Sequence, residues 1–222
     1  MSRYSLSQDS KNKNVIIFDF DGVLADSFDY FYSLIRDGMK HIGLSFTKEQ
    51  YRELFVGNVH QGFKDFINND QKYLAFSEFR KANYDKYYYD EGKGVKLFSE
   101  APAFIKKIGK KYILTIASSG KQENIRNLLR KGVVENLFDM ILADSSHSKK
   151  GMIKEVLNRF KVAPGQSFLI TDTVGDIKVA KECGLKTIAV TWGFHPKQLL
   201  MEAHPDHIAT DFNSLTKYLF SI

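Results

Sequence analysis

A chain of 222 residues and 25.5 kDa has room for one large domain, or for a medium core carrying a smaller insert, and for a sizeable apolar interior in either case. Hydrophobic residues make up 43% and aromatic residues 14%, spread along the whole length, which excludes a disordered or low-complexity chain. The formal net charge is +6, but basic residues are scattered among acidic ones without a long run or a one-sided stripe, so small anionic substrates fit this balance better than nucleic acid.

The first residues, MSRYSLSQDSKNKNV, carry no apolar h-region, and no apolar stretch of the chain approaches the roughly 20 residues that span a bilayer. No membrane partner and a cytoplasmic location are therefore expected, and the polar, unpatterned residues up to Asn14 read as a frayed tail. At Val15 the character changes to the short apolar run VIIFDF. Similar runs recur as YILTIAS from Tyr112, MILAD from Met140, FLITD from Phe168 and TIAVTWG from Thr187. Continuous rather than alternating apolar character marks strands buried on both faces, as in a parallel sheet.

Between Phe28 and Val95 this rhythm is interrupted. The segments FDYFYSLIRDGMKHIG, TKEQYRELFVG, a third through Phe63 and Phe66, and SEFRKANYDKYYYDEG are all compatible with helix. They predict a helical insert between the first and second strands, with 10 Lys or Arg balanced by 10 Asp or Glu, so the positive surplus belongs to the remainder. Beyond the insert, KQENIRNLLRKG, GMIKEVLNRF and DIKVAKECG place apolar residues at helical spacing, with Gly132 and Gly184 as stop signals. Strand and helix alternate, which predicts an α/β fold: a doubly wound (Rossmann-like) parallel sheet core with an inserted helical cap domain. The expected boundaries are a core of residues 1–27 and 96–222 and a cap of residues 28–95.

In an open α/β sheet, ligands bind in the crevice outside the carboxyl ends of the strands. Asp19 closes the first run, and Asp21 follows two residues later, just before Gly22, where the backbone can turn sharply. A second acidic pair stands in FLITDTVGDIKVA, with Asp172 at a strand end and Asp176 at a helix start. One Asp at such a place is ordinarily a turn former or a helix cap. Two pairs facing each other repel unless a cation neutralises them, and all-oxygen ligation with room for water and phosphate suits Mg²⁺.

These residues resemble the haloacid dehalogenase superfamily, and within it the phosphoglycolate phosphatase-like branch with a small helical cap. The resemblance covers nearly the whole chain after Asn14. DFDGVLADS is similar to the family's first motif, including the apolar strand before it; IASSG supplies Ser118 as the strand-end Ser or Thr of the second; a lone Lys before a helix is the third, and an acidic pair, here Asp172 and Asp176, the fourth. The resemblance implies that Asp19 is a covalent nucleophile forming an aspartyl-phosphate, that Asp21 is its acid/base partner, and that Ser118 and Lys150 hold the transferring phosphoryl oxygens. It further implies Mg²⁺ on the carboxylates of Asp19 and Asp172 and the backbone carbonyl of Asp21, with Asp176 near it or acting through water.

Lys149 and Lys150 stand side by side; Lys150 is preferred because the following GMI reads as the run into a helix. Ser118 is preferred over Ser119 because it is nearest the strand end. Thr171 precedes Asp172 where many members have Gly, which permits closer backbone approach.

The remaining features carry less. Cys183 is the only cysteine, so no intramolecular disulfide and no cysteine-based zinc cluster is possible, and AKECGL reads as a helix end holding a half-buried thiol. The six histidines share no metal-ligand spacing and read as surface residues. The aromatic stretch YDKYYYDE is expected to pack inside the insert. Arg52, His60 and Lys64 are candidates to reach over the site toward a substrate carboxylate or second phosphate, although each reads first as an ordinary solvated side chain. There is no Walker A, GxGxxG or GxSxG sequence. The expected activity is hydrolysis of a small phosphorylated metabolite, phosphoglycolate-like or a sugar phosphate. A phosphomutase resembling β-phosphoglucomutase would use the same two aspartates, and a non-catalytic binding or regulatory protein would keep the fold without the reaction. A dehalogenase fits less well, since the full phosphate-holding and magnesium-binding set is present. No feature of the sequence bears on oligomeric state.

Overall fold

The computed structural model describes residues 13–90, 94–144 and 147–222. All but the last two residues of the expected frayed tail lie outside the described residues.

The chain opens with β1 (Val15–Phe18) and a short β2 (Ala25–Asp26). The insert follows as α1 (Phe28–His41), α2 (Lys48–Glu53) with a 3-10 turn at Leu54–Val56, α3 (Val59–Ile67) and α4 (Asp70–Tyr88). A short β3 (Lys96–Leu97) pairs antiparallel with β2, Ala25 opposite Leu97 and Asp26 opposite Lys96. The alternating part then runs α5 (Ala101–Ile108), β4 (Ile113–Ser118), α6 (Gln122–Lys131), β5 (Met140–Ala143), α7 (Lys149–Phe160), β6 (Ser167–Thr171), α8 (Val174–Glu182), β7 (Lys186–Val190), α9 (Lys197–Glu202), β8 (His207–Ala209) and α10 (Phe212–Ser221).

Six strands form one parallel sheet in the order β5-β4-β1-β6-β7-β8. The first strand is central, with Phe18 paired to Ile116 on one side and Ile170 on the other. Side chains alternate across a strand, and both faces are buried. Ile16 and Phe18 point into a cluster with Phe104, Ile105, Ile125, Leu215 and Leu219 of α5, α6 and α10. Val15 and Ile17 point the other way, against Met152, Ile153, Val156 and Ala180 of α7 and α8. This is the doubly wound core expected, enlarged by β8, α5, α9 and α10.

The insert has its own apolar centre, including Ile35, Met39, Phe46, Tyr51, Phe63 and Phe76. Its helix starts are set locally. Thr47 and Gln50 form a capping box at α2, while Asn58 and Asn69 accept from the Gln61 and Lys72 amides at α3 and α4. Gly38 lets α1 lie close on α4, since a Cβ there would stand 3.1 Å from the Phe76 ring. Tyr84, Tyr87 and Tyr88 pack, but in the cluster of the α/β core that holds Ile16 and Phe18 and not in the insert's own centre as expected, and Tyr89 is exposed. Among the described residues no helix is long and apolar enough to cross a membrane.

Candidate active site

The carboxyl ends of the three inner strands bring the site together. The Asp19 amide donates to Ile170 O at 2.9 Å, extending the β1–β6 ladder by one residue before the chain leaves the sheet. The Phe20 amide then donates to Asp19 Oδ1 at 2.8 Å and fixes the carboxylate at the crevice. The turn onward needs Gly22, which has φ of +75°.

Lys149 occupies the centre. Its Nζ is 2.9 Å from Asp19 Oδ1 and 2.9 Å from Asp176 Oδ2, and it donates to Ala117 O at 2.7 Å. The expectation for Lys150 is corrected here. Lys150 points out of the crevice to Glu182 on α8, 2.9 Å away, in a solvent-exposed pair. The physical reason is helical geometry: neighbouring residues point about 100° apart, so only one of the two can enter the crevice. Ser148 caps α7 by accepting from the Gly151 amide, which makes Lys149 the first helical residue and turns it inward.

The other expected residues are gathered at the same strand ends. Ser118 is buried at the end of β4, and its Oγ accepts from the Gly120 amide at 3.1 Å. A Cβ on Gly120 would lie 3.3 Å from Ser118 Oγ and 3.5 Å from Asp21 Oδ2, so Gly120 joins the two sides of the crevice. Asp172 is fully buried at the end of β6; Oδ2 accepts from the Phe194 amide at 2.7 Å, while Oδ1 has no hydrogen-bond partner. Asp21 Oδ1 is likewise shielded and unpartnered. Asp176, in the first turn of α8, also faces the Thr171 hydroxyl at 3.4 Å. Thr171 thus has a role of its own where the family often has Gly, and its Oγ1 also accepts from the Thr173 amide.

Close approach to Asp172 is supplied from elsewhere. A Cβ on Gly22 would fall 2.0 Å from Asp172 Oδ2, and one on Gly193 2.3 Å from it. Gly193 was not singled out in the sequence, and neither was His195, which contradicts the surface reading of the histidines by being fully buried. His195 Nδ1 accepts from the Val174 amide at 3.0 Å, so Nε2 carries the proton and donates to Arg52 O at 2.8 Å. Arg52 Nε in turn donates to Phe194 O at 2.8 Å, and its guanidinium stacks 4.3 Å from the Phe28 ring centre. Arg52 therefore fastens the insert to the loop that holds Asp172. His60 and Lys64 are exposed on α3, with Lys64 5.5 Å from the Tyr73 ring centre.

Burial and neighbouring charges shift three carboxyls and the one ammonium of the crevice. Burial pushes the Asp19 carboxyl up to about 7, against the attraction of Lys149 and together with repulsion from Asp176. Burial also raises Asp21 to about 6, opposed by the Ser27 hydroxyl and by Lys149. Asp172 is raised by burial and by the charge of Asp19. Burial works against the charged form of Lys149, but Asp176 and Asp19 outweigh it and keep the ammonium protonated. The crevice carries an excess of negative charge, two orphaned carboxylate oxygens and one fixed cation, an arrangement able to hold a hard cation and a phosphoryl group.

A family model described as haloacid dehalogenase-like hydrolase matches residues 16–190. The chain belongs to this family. Its relatives among haloacid dehalogenase-like hydrolases include a phosphoglycolate phosphatase of Aliivibrio fischeri, 20% identical over 94% of this chain and 95% of that protein. Another is a phosphorylated carbohydrates phosphatase of Thermotoga maritima, 26% identical over 85% of this chain and 90% of that protein. A solved haloacid dehalogenase-like family hydrolase from Streptococcus pneumoniae has the same fold, with a TM-score of 0.79 at 24% identity over 93% of this chain and 98% of that one. The chain is thus a hydrolase of the haloacid dehalogenase-like family with phosphatases among its relatives.

Proposed function

We propose that this chain is a cytoplasmic, Mg²⁺-dependent phosphatase that releases phosphate from a small phosphorylated metabolite through an aspartyl-phosphate on Asp19. The observation that carries the reading is the placement of Asp19 at the end of β1, held by Lys149 at 2.9 Å, with Asp21 two residues on. An Asp19 oxygen attacks phosphorus as the bond to the leaving oxygen breaks, and Asp21 gives that oxygen its proton. Asp21 then takes a proton from the water that attacks the aspartyl-phosphate, releasing inorganic phosphate and restoring Asp19. A carboxyl raised to about 6 suits a group that must hold a proton in one step and accept one in the next. The Ser118 hydroxyl and the Lys149 ammonium hold the phosphoryl oxygens, donor and charge together offsetting what develops in the transition state.

The residues fit a divalent cation. Asp19 and Asp172 would hold it through carboxylates and Asp21 through its backbone carbonyl, with Asp176 near or through water; the unpartnered Asp172 Oδ1 is the donor to spare. Among the described residues no group of three or more His, Cys, Asp or Glu side chains is placed to hold a metal ion. The proposed ligands are therefore two carboxylates and one backbone carbonyl, and Mg²⁺ commonly takes only one or two protein carboxylates beside waters and substrate phosphate. When bound, the cation supplies positive charge that offsets the oxygens of the transferring phosphoryl group. The insert of residues 28–95 acts as the cap over the crevice of the core, residues 1–27 and 96–222, and shields the aspartyl-phosphate from bulk water.

Asp19→Asn tests the reading. Phosphate release from an aryl phosphate with Mg²⁺ is expected to fall by about 10³-fold or more while the circular dichroism spectrum is kept. Substantial residual turnover by a folded variant would sink the nucleophile assignment.

A further inference from the structure

One residue of the core packs as though it belonged to the insert. Phe194 lies in the loop between β7 and α9, yet its buried ring joins the insert's apolar cluster. The ring stands 5.0 Å from the ring centres of Phe28 and Phe55 and 6.1 Å from that of Tyr51. The backbone of the same residue serves the crevice, its amide donating to Asp172 Oδ2 at 2.7 Å. Its carbonyl accepts from Arg52 Nε, which belongs to the insert.

His195 repeats this double attachment one residue on. Its amide donates to Asp172 O at 3.3 Å, and its Nδ1 accepts from the amide of Val174, two residues beyond Asp172. Its Nε2 donates to Arg52 O at 2.8 Å. The 3-10 turn that follows Arg52 is seated on α8: a Cβ on Gly175 would stand 2.7 Å from Phe55 O, and Lys178 Nζ donates to Val56 O at 3.5 Å. The insert is therefore docked beside Asp172 and Asp176, with two consecutive loop residues between it and the Asp172 carboxylate.

Packing of a large ring would by itself require none of these polar contacts. The Phe194 amide occupies Oδ2 and leaves Oδ1 as the unpartnered oxygen, which sets how the carboxylate is presented. Groups that hydrogen-bond a metal-binding carboxylate orient it, and losing them typically weakens metal binding by about 10–100-fold. Withdrawal of the insert would strip the Phe194 ring of its apolar surroundings and the loop of both Arg52 contacts. We propose that the Phe194–His195 loop couples docking of the insert to the metal-binding carboxylate, so that the insert, which supplies none of the proposed ligands, strengthens the hold of Asp172 on Mg²⁺. Loading of the site in turn steadies the docked insert. Phe194 and His195 are positioning residues in this scheme, acting through Asp172. The inference rests on the metal part of the phosphatase reading and not on its substrate.

Coupling between two events is reciprocal, so it can be read from either end without substrate or turnover. At one end, calorimetry measures Mg²⁺ binding to the wild-type chain and to a double variant, Arg52→Met with Phe55→Ala, whose changes are confined to the insert. The double variant is expected to bind Mg²⁺ at least about fivefold more weakly while keeping its circular dichroism spectrum. Loss of stability alone would lower its unfolding midpoint and leave the Kd of the folded protein in place. A Kd within about twofold of wild type in the folded variant would overturn the inference. At the other end, hydrogen exchange of the wild-type chain across residues 51–56 is expected to slow by about fivefold or more at saturating Mg²⁺, because undocking then has to release the loop from a loaded Asp172. Unchanged exchange there counts equally against the coupling, and this arm decides if the double variant does not fold. A chain that binds no Mg²⁺ sinks the inference together with the metal part of the reading. One that shows both effects but releases phosphate from no ester keeps the coupling, while the phosphatase reading fails.

Discussion

Two adjacent lysines illustrate how much a single step along a helix decides. Lys149 touches Asp19, Asp176 and Ala117 O, whereas Lys150 reaches only Glu182 in solvent. Lys149→Ala is expected to lower kcat by about 10²–10³-fold, since it removes a charge from a water-poor site, and Lys150→Ala to stay within about twofold of wild type. Steady-state phosphate release from both variants checks this. The resemblance implies a lysine there, and the preference for Lys150 over Lys149 picked the wrong one because the two differ only in helical phase. Ser148, an N-cap residue immediately before Lys149, is the signal that could have separated them. Asp19, Ser118, Asp172 and Asp176 could be placed at the crevice because they stand at or just after a strand end or in the first turn of a helix, and Asp21 because it follows Asp19 by two residues before Gly22. Gly193 and His195 were not, because they act from a loop about twenty residues after Asp172 and only tertiary contact brings them to it.

Among the elements, the long apolar strands announced themselves and β8 did not. It has only three residues, His207–Ala209, and sits at the sheet edge, so it lacks the continuous run that buried strands show. Its position is fixed by Asp206, whose carboxylate accepts from the Thr187 amide at 2.7 Å and from the Thr187 hydroxyl at 2.8 Å. Partial burial favours the neutral acid, but these bonds outweigh it and hold the carboxyl below its usual range. A depressed folded-state pKa gives stability that is present above the unfolded value, near 4, and is lost as pH falls through the folded one. Asp206→Asn is therefore expected to cost about 0.5–1.5 kcal/mol at neutral pH, kept small by solvent around the exposed side chain, and the cost should shrink in strong acid. Urea unfolding of both proteins at the two pH values measures the difference.

At the scale of the molecule, the crevice carries an electrostatic strain that a cation would relieve, since burial raises Asp19, Asp21 and Asp172, and repulsion from neighbouring carboxylates adds to the rise at Asp19 and Asp172. Mg²⁺ at about a hundred times its Kd is expected to raise Tm by about 5–10 °C, a shift that Asp172→Asn should largely abolish. Differential scanning calorimetry with and without Mg²⁺ reads it directly. The +6 surplus falls outside the charge-balanced insert, and no helix of the described residues is built to cross a membrane. The α/β class and the helical insert were both readable from the spacing of apolar runs. The manner of joining was not, because β2 and β3 are two residues each and lie some seventy positions apart.

That small ribbon has a mechanical consequence. The polypeptide crosses between core and insert twice, and Ala25–Asp26 on the way out is hydrogen-bonded to Lys96–Leu97 on the way back. Two separate tethers would let the insert twist and slide, each strand flexing by itself. Stitched side by side they behave as a single strip, so bending is shared and shear between the crossings is resisted. The ribbon thus ties the two crossings into one joint, and the Arg52 contacts to the Phe194–His195 loop hold the insert to the core at a second, separate place.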